Sequence, residues 1–255
     1  MREKLSHPPV NEVIIGTYFN PPLLDIYAHH VGLLWQALRT RYPRIEQREP
    51  LNNMFVEAPN ELWPMPRFWL TSADESHLVQ LQRNALILNW RRRNSDYPSF
   101  EPVKAEFDRV YEAFVAFVRT INPEAPVQIE RAELAYVNMV EQCDYWKSAA
   151  DTQTVIPSYV QLAGSTPNGF VVQQSAAIDP MTSITTGVRV GNRVQDNIPV
   201  LNFDVRVAGL LGNAPKETAD AWFDKAHELT GKTFRAITNP DIRQRYWNRG
   251  VGNAN

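Results

Sequence analysis

Cys143 is the only cysteine in the 255 residues, so neither an internal disulfide nor a cysteine-built zinc site can staple the fold. No run of about 18 uncharged apolar residues occurs, and no membrane-spanning helix is expected. The segment from Met1 to Pro9 lacks the apolar core of a secretory signal, and a cytoplasmic protein is expected. An excess of either charge is missing too: 26 basic residues face 28 acidic ones, for a net charge of −2. General nucleic-acid binders are usually basic, so this balance speaks against that role without excluding a local patch. Eleven glycines against 19 prolines indicate stiff, defined loops. Neither GxxxxGK[ST] nor GxGxxG occurs, which removes the backbone cradles that hold phosphates. GxSxG is absent as well. The five histidines include the adjacent pair His29-His30, whose side chains diverge by about 100° on a helix. His227-Glu228 lacks a second histidine four residues on. No metal and no cofactor are expected.

What is present has the composition of a packed globular chain, with 44% hydrophobic residues. Asn11–Asn20 is rich in β-formers and predicts a strand. Apolar residues at Tyr27, Val31, Leu34, Trp35, Leu38 and Tyr42 fall on one helical face, predicting a helix over Leu23–Tyr42. Arg44–Leu51 is expected as a short strand and Asn52–Pro66 as a proline-stiffened loop. A strand opens at Phe68. Leu78–Gln82 and Ala85–Trp90 predict a hairpin around Arg83-Asn84, since asparagine tolerates the positive φ of two-residue turns. Val103, Phe107, Val110, Phe114, Phe117, Val118 and Ile121 make a sharply amphipathic helix over 101–121. A long strand over Val127–Val140 follows.

The second half predicts strands over Phe170–Ile178, Ile184–Val190 and Pro199–Ala208, with a turn at Gly191-Asn192. In the last strand Leu201, Phe203, Val205 and Val207 alternate with polar residues, as in a strand buried on one face. A helix over Glu217–Ile237 and a short one opening at Asn239-Pro240 close the chain. The fold class is therefore α+β: mostly antiparallel sheet of about seven to nine strands, flanked by three long helices. The expected organisation is an N-terminal half over 1–140, a connecting segment over 141–168 and a C-terminal part over 169–255. The halves could be related in topology, although no residue-level repeat is visible.

Pro8–Val13, Ala28–Pro43 (AHHVGLLWQALRTRYP), the hairpin LVQLQRNALILNWRRR with Asp96-Tyr97-Pro98, and Ala226–Trp247 together resemble a sporadically distributed bacterial family of conserved hypothetical proteins. That family has no assigned activity, so the resemblance implies no catalytic residues. Its patchy distribution implies an accessory role of the defence or toxin–antitoxin kind.

The residues themselves offer few catalytic arrangements. Cys143 beside Asp144 and Tyr145 is read as a small apolar filler. Asp179 with Asp204-Val205-Arg206 has a faint likeness to a metal nuclease, but arginine makes a poor general base. Asp204 and Arg206 are read as a solvated strand face with a cross-strand ion pair. The best binding candidates are Arg83 at the hairpin tip, Trp90, Arg91, Arg92 and Arg93 after it, and Tyr97. Arginines beside aromatics suit an acidic protein partner or stacked bases. They also serve as a charged edge that blocks aggregation. Arg243, Arg245 and Arg249 form a second cluster, with Trp247 expected in the core. The leading expectation is a non-catalytic binding protein with a protein partner. The alternatives are an enzyme whose site is assembled from distant residues and a nucleic-acid binder using the hairpin. A homodimer is compatible with each; a membrane partner is not expected.

Overall fold

The structure, a computed structural model, describes residues 5–51, 65–159, 169–193 and 195–248. Most of the loop expected over Asn52–Pro66, together with Arg249 and the tail, lies outside the described residues. Among these residues the nine strands are β1 (Val10–Tyr18), β2 (Arg44–Arg48), β3 (Arg67–Thr71), β4 (His77–Gln82), β5 (Ala85–Arg91), β6 (Ile129–Glu141), β7 (Phe170–Asp179), β8 (Thr182–Asn192) and β9 (Pro199–Ala214). The helices are α1 (Val31–Leu38), α2 (Phe100–Ile121), α3 (Thr152–Val155), α4 (Lys216–Ile237) and α5 (Pro240–Ile242). The strands form one antiparallel sheet in the order β2-β3-β4-β5-β1-β6-β9-β8-β7, and the α+β class stands.

The chain divides into two compact units. The first comprises Val13–Leu134 and Ala208–Ala226; the second comprises Met1–Glu12, Ala135–Val207 and His227–Asn255. The boundaries fall within β1, β6, β9 and α4, so neither unit is a continuous stretch of sequence.

In the first unit β2, β3, β4 and β5 form an antiparallel meander. The expected hairpin stands, with Gln82 opposite Ala85. Its stated reason does not: neither Arg83 nor Asn84 adopts a positive φ. The tip is held from outside instead. Phe19 N–H donates to Asn84 O (2.9 Å) and Leu23 N–H to Arg83 O (3.0 Å). The helix expected from Leu23 begins only with a 3₁₀ turn at Ala28–His30 followed by α1. Arg83 Nε donates to Ile26 O (2.7 Å), the carbonyl that a helical ladder would offer to His30, and His30 N–H donates to Tyr27 O instead. Of the expected face, Val31, Leu34, Leu38 and Tyr42 are nevertheless buried and Trp35 is half-buried, whereas Tyr27 precedes the helical turn and is exposed. Helix α2 presents Phe107, Val110 and Phe114 to this core, where Phe19 stacks on Phe114 at 5.4 Å.

The second unit packs Trp146, Leu201, Phe203, Ile242 and Trp247 together. The alternation in β9 is realised: Leu201, Phe203, Val205 and Val207 are all buried. Strand β8 continues through Gly191 and Asn192; the turn falls instead at Gln195-Asp196, followed by Asn197 at φ 60°, and Arg193 N–H donates to Ile198 O (2.8 Å). The described part of the expected connector, residues 141–159, carries core side chains. Cys143 and Trp146 form a β-bridge there, followed by a 3₁₀ turn at Ala149–Asp151 and by α3.

Candidate interaction surfaces

The arginine–aromatic stretch is placed mostly inward. Arg83 is 3% exposed; its Nε donates to Ile26 O (2.7 Å) and its guanidinium lies over the Tyr27 ring. Trp90 is buried and meets Tyr97 edge-on at 5.3 Å. The expected exposed patch therefore loses its central aromatic and the arginine at its tip. Arg91 and Arg92 are half-buried and Arg93 is exposed. Arg92 pairs with Asp96 (3.6 Å), and Arg93 approaches Glu75 (4.0 Å). Their charge is partly neutralised within the first unit.

The second arginine cluster separates in the same way. Arg243 is buried and reaches the C-terminal end of α4. Its Nη1 donates to Arg235 O (2.9 Å), Thr238 O (2.6 Å) and Thr238 Oγ1 (3.0 Å). It is a helix cap supplied by a cation, which suits the carbonyl-rich end of a helix. Arg245 is exposed on the π-helical turn Arg243–Trp247. Trp247 is in the core, donating to Tyr145 Oη (3.0 Å). Asp204 and Arg206 are half-buried on β9. Burial raises the Asp204 carboxyl above its ordinary value, opposed by the charges of Arg206 and Arg189. Asp179 sits at the exposed end of β7 and accepts from Met181 N–H (2.8 Å). Among the described residues no three His, Cys, Asp or Glu side chains converge as a metal site.

Sequence reasoning missed a polar cluster in the first unit. Glu106 on α2 is buried and accepts from Arg41 Nε (3.0 Å), Arg41 Nη2 (2.7 Å), Tyr42 Oη (2.9 Å) and Arg109. Burial alone would raise its carboxyl; these hydrogen bonds and charges outweigh it and hold it below the ordinary value. In the tight turn before β4, Asp74 accepts from Ser72 Oγ (2.7 Å), Ser76 Oγ (2.8 Å) and Ser76 N–H (3.1 Å), which holds its carboxyl down at about 2. Ser76 Oγ also meets His77 Nδ1 at 2.8 Å. Ionised Asp74 can only accept, so the Ser76 proton points to it and His77 Nδ1 must carry a hydrogen. His77 Nε2 is then the bare nitrogen. Burial lowers the His77 pKa, favouring this neutral form.

Arg41 and Tyr42 reach Glu106 from 65 and 64 positions away, so no local spacing announces that part of it, whereas Asp74 takes its partners from within its own turn. A groove of about 700 Å³ lies elsewhere in the same unit, lined in part by Tyr111, Arg119, Lys216 and Asp220. Two of its carboxylates, Asp108 and Asp220, are each bridged by both Lys104 and Lys216. Asp74, His77 and Glu106 do not line it.

The two strands that end the sheet order differ sharply. β2, with sequence RIEQR, is covered in charge. Arg44 pairs with Glu75, Arg48 pairs with Glu46, and the Arg48 guanidinium lies over Trp69 at 4.6 Å. Such charges discourage pairing with another chain. β7 is bare. From Val171 to Asp179 every residue is exposed, and no charged residue precedes Asp179. Val171 is 65% exposed and Val172 48%. Its ladder to β8 occupies one side of the strand, and no described strand pairs with the other.

Compared with protein-family models, with curated proteins and with solved structures, the chain matches none.

Proposed function

We propose that this protein is a non-catalytic interaction protein whose β7 edge accepts an extended strand from a protein partner. The observation that carries this reading is the uncharged, exposed edge from Val171 to Ile178, whose outer side pairs with no described strand. An unpaired ladder offers a row of backbone donors and acceptors, and strand addition satisfies them while alternate side chains give specificity. Four large apolar side chains, Val171, Val172, Ile178 and Met181, are exposed on the β7–β8 ribbon. Their presence at an open edge is costly in water and suits a surface that becomes covered. The arginine-rich stretch contributes less to this reading, because Arg83 and Trp90 are buried. Membership of the bacterial family, and a place in a defence or toxin–antitoxin system, belong to the same proposal and rest on the resemblance alone.

The test is recovery of the native protein from its host beside a Val172→Lys variant, with protein and nucleic acid both identified. Val172 is exposed, so the variant is expected to fold normally by circular dichroism. A discrete stoichiometric protein species, either a different chain or an untagged second copy of this one, should accompany the wild type and be lost with Val172→Lys. Recovery unaffected by the substitution, or metabolite turnover by the purified chain, overturns the reading.

A further inference from the structure

An edge strand that pairs with a second copy of itself must satisfy a condition that other partners do not impose. Antiparallel pairing about a two-fold axis sets the strand against its own reverse, so its polarity pattern must read alike in both directions. Strand β7 meets this condition. Phe170-Val171-Val172 are apolar, Gln173-Gln174-Ser175 are polar and uncharged, and Ala176-Ala177-Ile178 are apolar. The pattern is symmetric about Gln174.

Resting on the reading of β7 as a strand-accepting edge, we propose that the strand it accepts is β7 of a second copy of this chain, antiparallel about a two-fold axis at Gln174. Phe170 then lies opposite the partner's Ile178, Val171 opposite the partner's Ala177, and Val172 opposite the partner's Ala176. Gln173 lies opposite the partner's Ser175, and the two copies of Gln174 face each other. Every apolar residue meets an apolar one and every polar residue a polar one. No like charges are brought together, because the segment has none. Cross-strand pairs of this kind are the unit of sheet stabilisation.

The ladder to β8 supports the geometry. It runs in regular register from Phe170 to Ala177, and its irregularity falls between Ala177 and Asp179, at the end of the paired segment. The strand is therefore regular across the central pairs, Val171–Ala177, and the irregularity touches only the outermost pair, Phe170 with the partner's Ile178. Only Phe170 is partly covered, stacked on Tyr159 at 4.2 Å.

The experiment measures the mass of the purified full chain by light scattering across a dilution series. Wild type is expected at twice 29.2 kDa. Gln174→Lys and Gln174→Asp each place like charges on the axis and are expected at the monomer mass. An equal mixture of the two should restore the dimer, which shows that both variants are folded. In a Cys143→Ser background, Gln174→Cys should be joined across copies by a short thiol cross-linker. Val171→Cys should not be, because its two copies would lie ~20 Å apart along the strands. A monomeric wild type, a dimer indifferent to Gln174→Lys, or cross-linking through position 171 instead of 174 overturns the proposal. A monomeric wild type that still recovers a different chain, lost in Val172→Lys, leaves the broader reading of β7 standing; loss of both outcomes removes it.

Discussion

Asp74 and Glu106 illustrate how much a carboxylate depends on neighbours that sequence distance hides. Asp74 is written within a short turn, among Ser72 and Ser76, and its environment is nearly local. Glu106 takes its partners from Arg41 and Tyr42, more than 60 positions away. Both carboxyls lie below their ordinary values in the folded chain. A depressed carboxylate stabilises the fold above the unfolded pKa and loses that contribution as pH falls through the folded one. For Asp74 the window runs from about 4, the ordinary carboxylate value, down to about 2. Fluorescence-monitored urea midpoints should therefore decline between these pH values. In Asp74→Asn the decline should be shallower, and an equal slope in that variant would show that Asp74 is not the group responsible.

At the scale of elements, amphipathic periodicity carries most of the information. Helix α2 and strand β9 lie where their patterns put them, because one apolar face suffices to define each. Residues 23–27 resisted the same logic, since hydrogen bonds from the hairpin tip compete with the helix. The end of α4 shows a related effect. Its carbonyls are satisfied by Arg243, a residue the sequence groups with Arg245 and Arg249. Arg243→Leu keeps the aliphatic bulk but leaves those oxygens without their charged donor. The expected cost is about 1–3 kcal/mol, read as a lower urea midpoint. Arg245→Leu, on the exposed side of the same turn, should change the midpoint little. Equal effects would mean the cap is not what Arg243 supplies.

For the whole molecule, the contrast between β2 and β7 has the widest consequence. One outermost strand is guarded by arginines and glutamates; the other offers an uncharged ladder. Association through β7 should be driven by backbone hydrogen bonds and apolar contact. It should then be insensitive to salt: raising ionic strength from about 0.01 M to about 1 M shortens the screening length from about 30 Å to about 3 Å. Light scattering should report the same dimer mass at both extremes. Dissociation at high salt would place the interface on charged surface instead. The polarity symmetry of Phe170–Ile178 was legible in the sequence. Its exposure on both faces was not, because a short apolar run is equally compatible with a buried strand.

Local pattern alone was enough for the α+β class, the strands of the β4–β5 hairpin and the buried faces of α2 and β9, since each depends on residues a few positions apart. Which arginines face water, which carboxylate is gathered by Arg41, and which described strand ends the sheet emerged only when distant segments met. Burial and hydrogen-bond partnership are properties of that meeting, and a side chain such as Arg83 carries no mark in the sequence of the carbonyl at Ile26 that claims it.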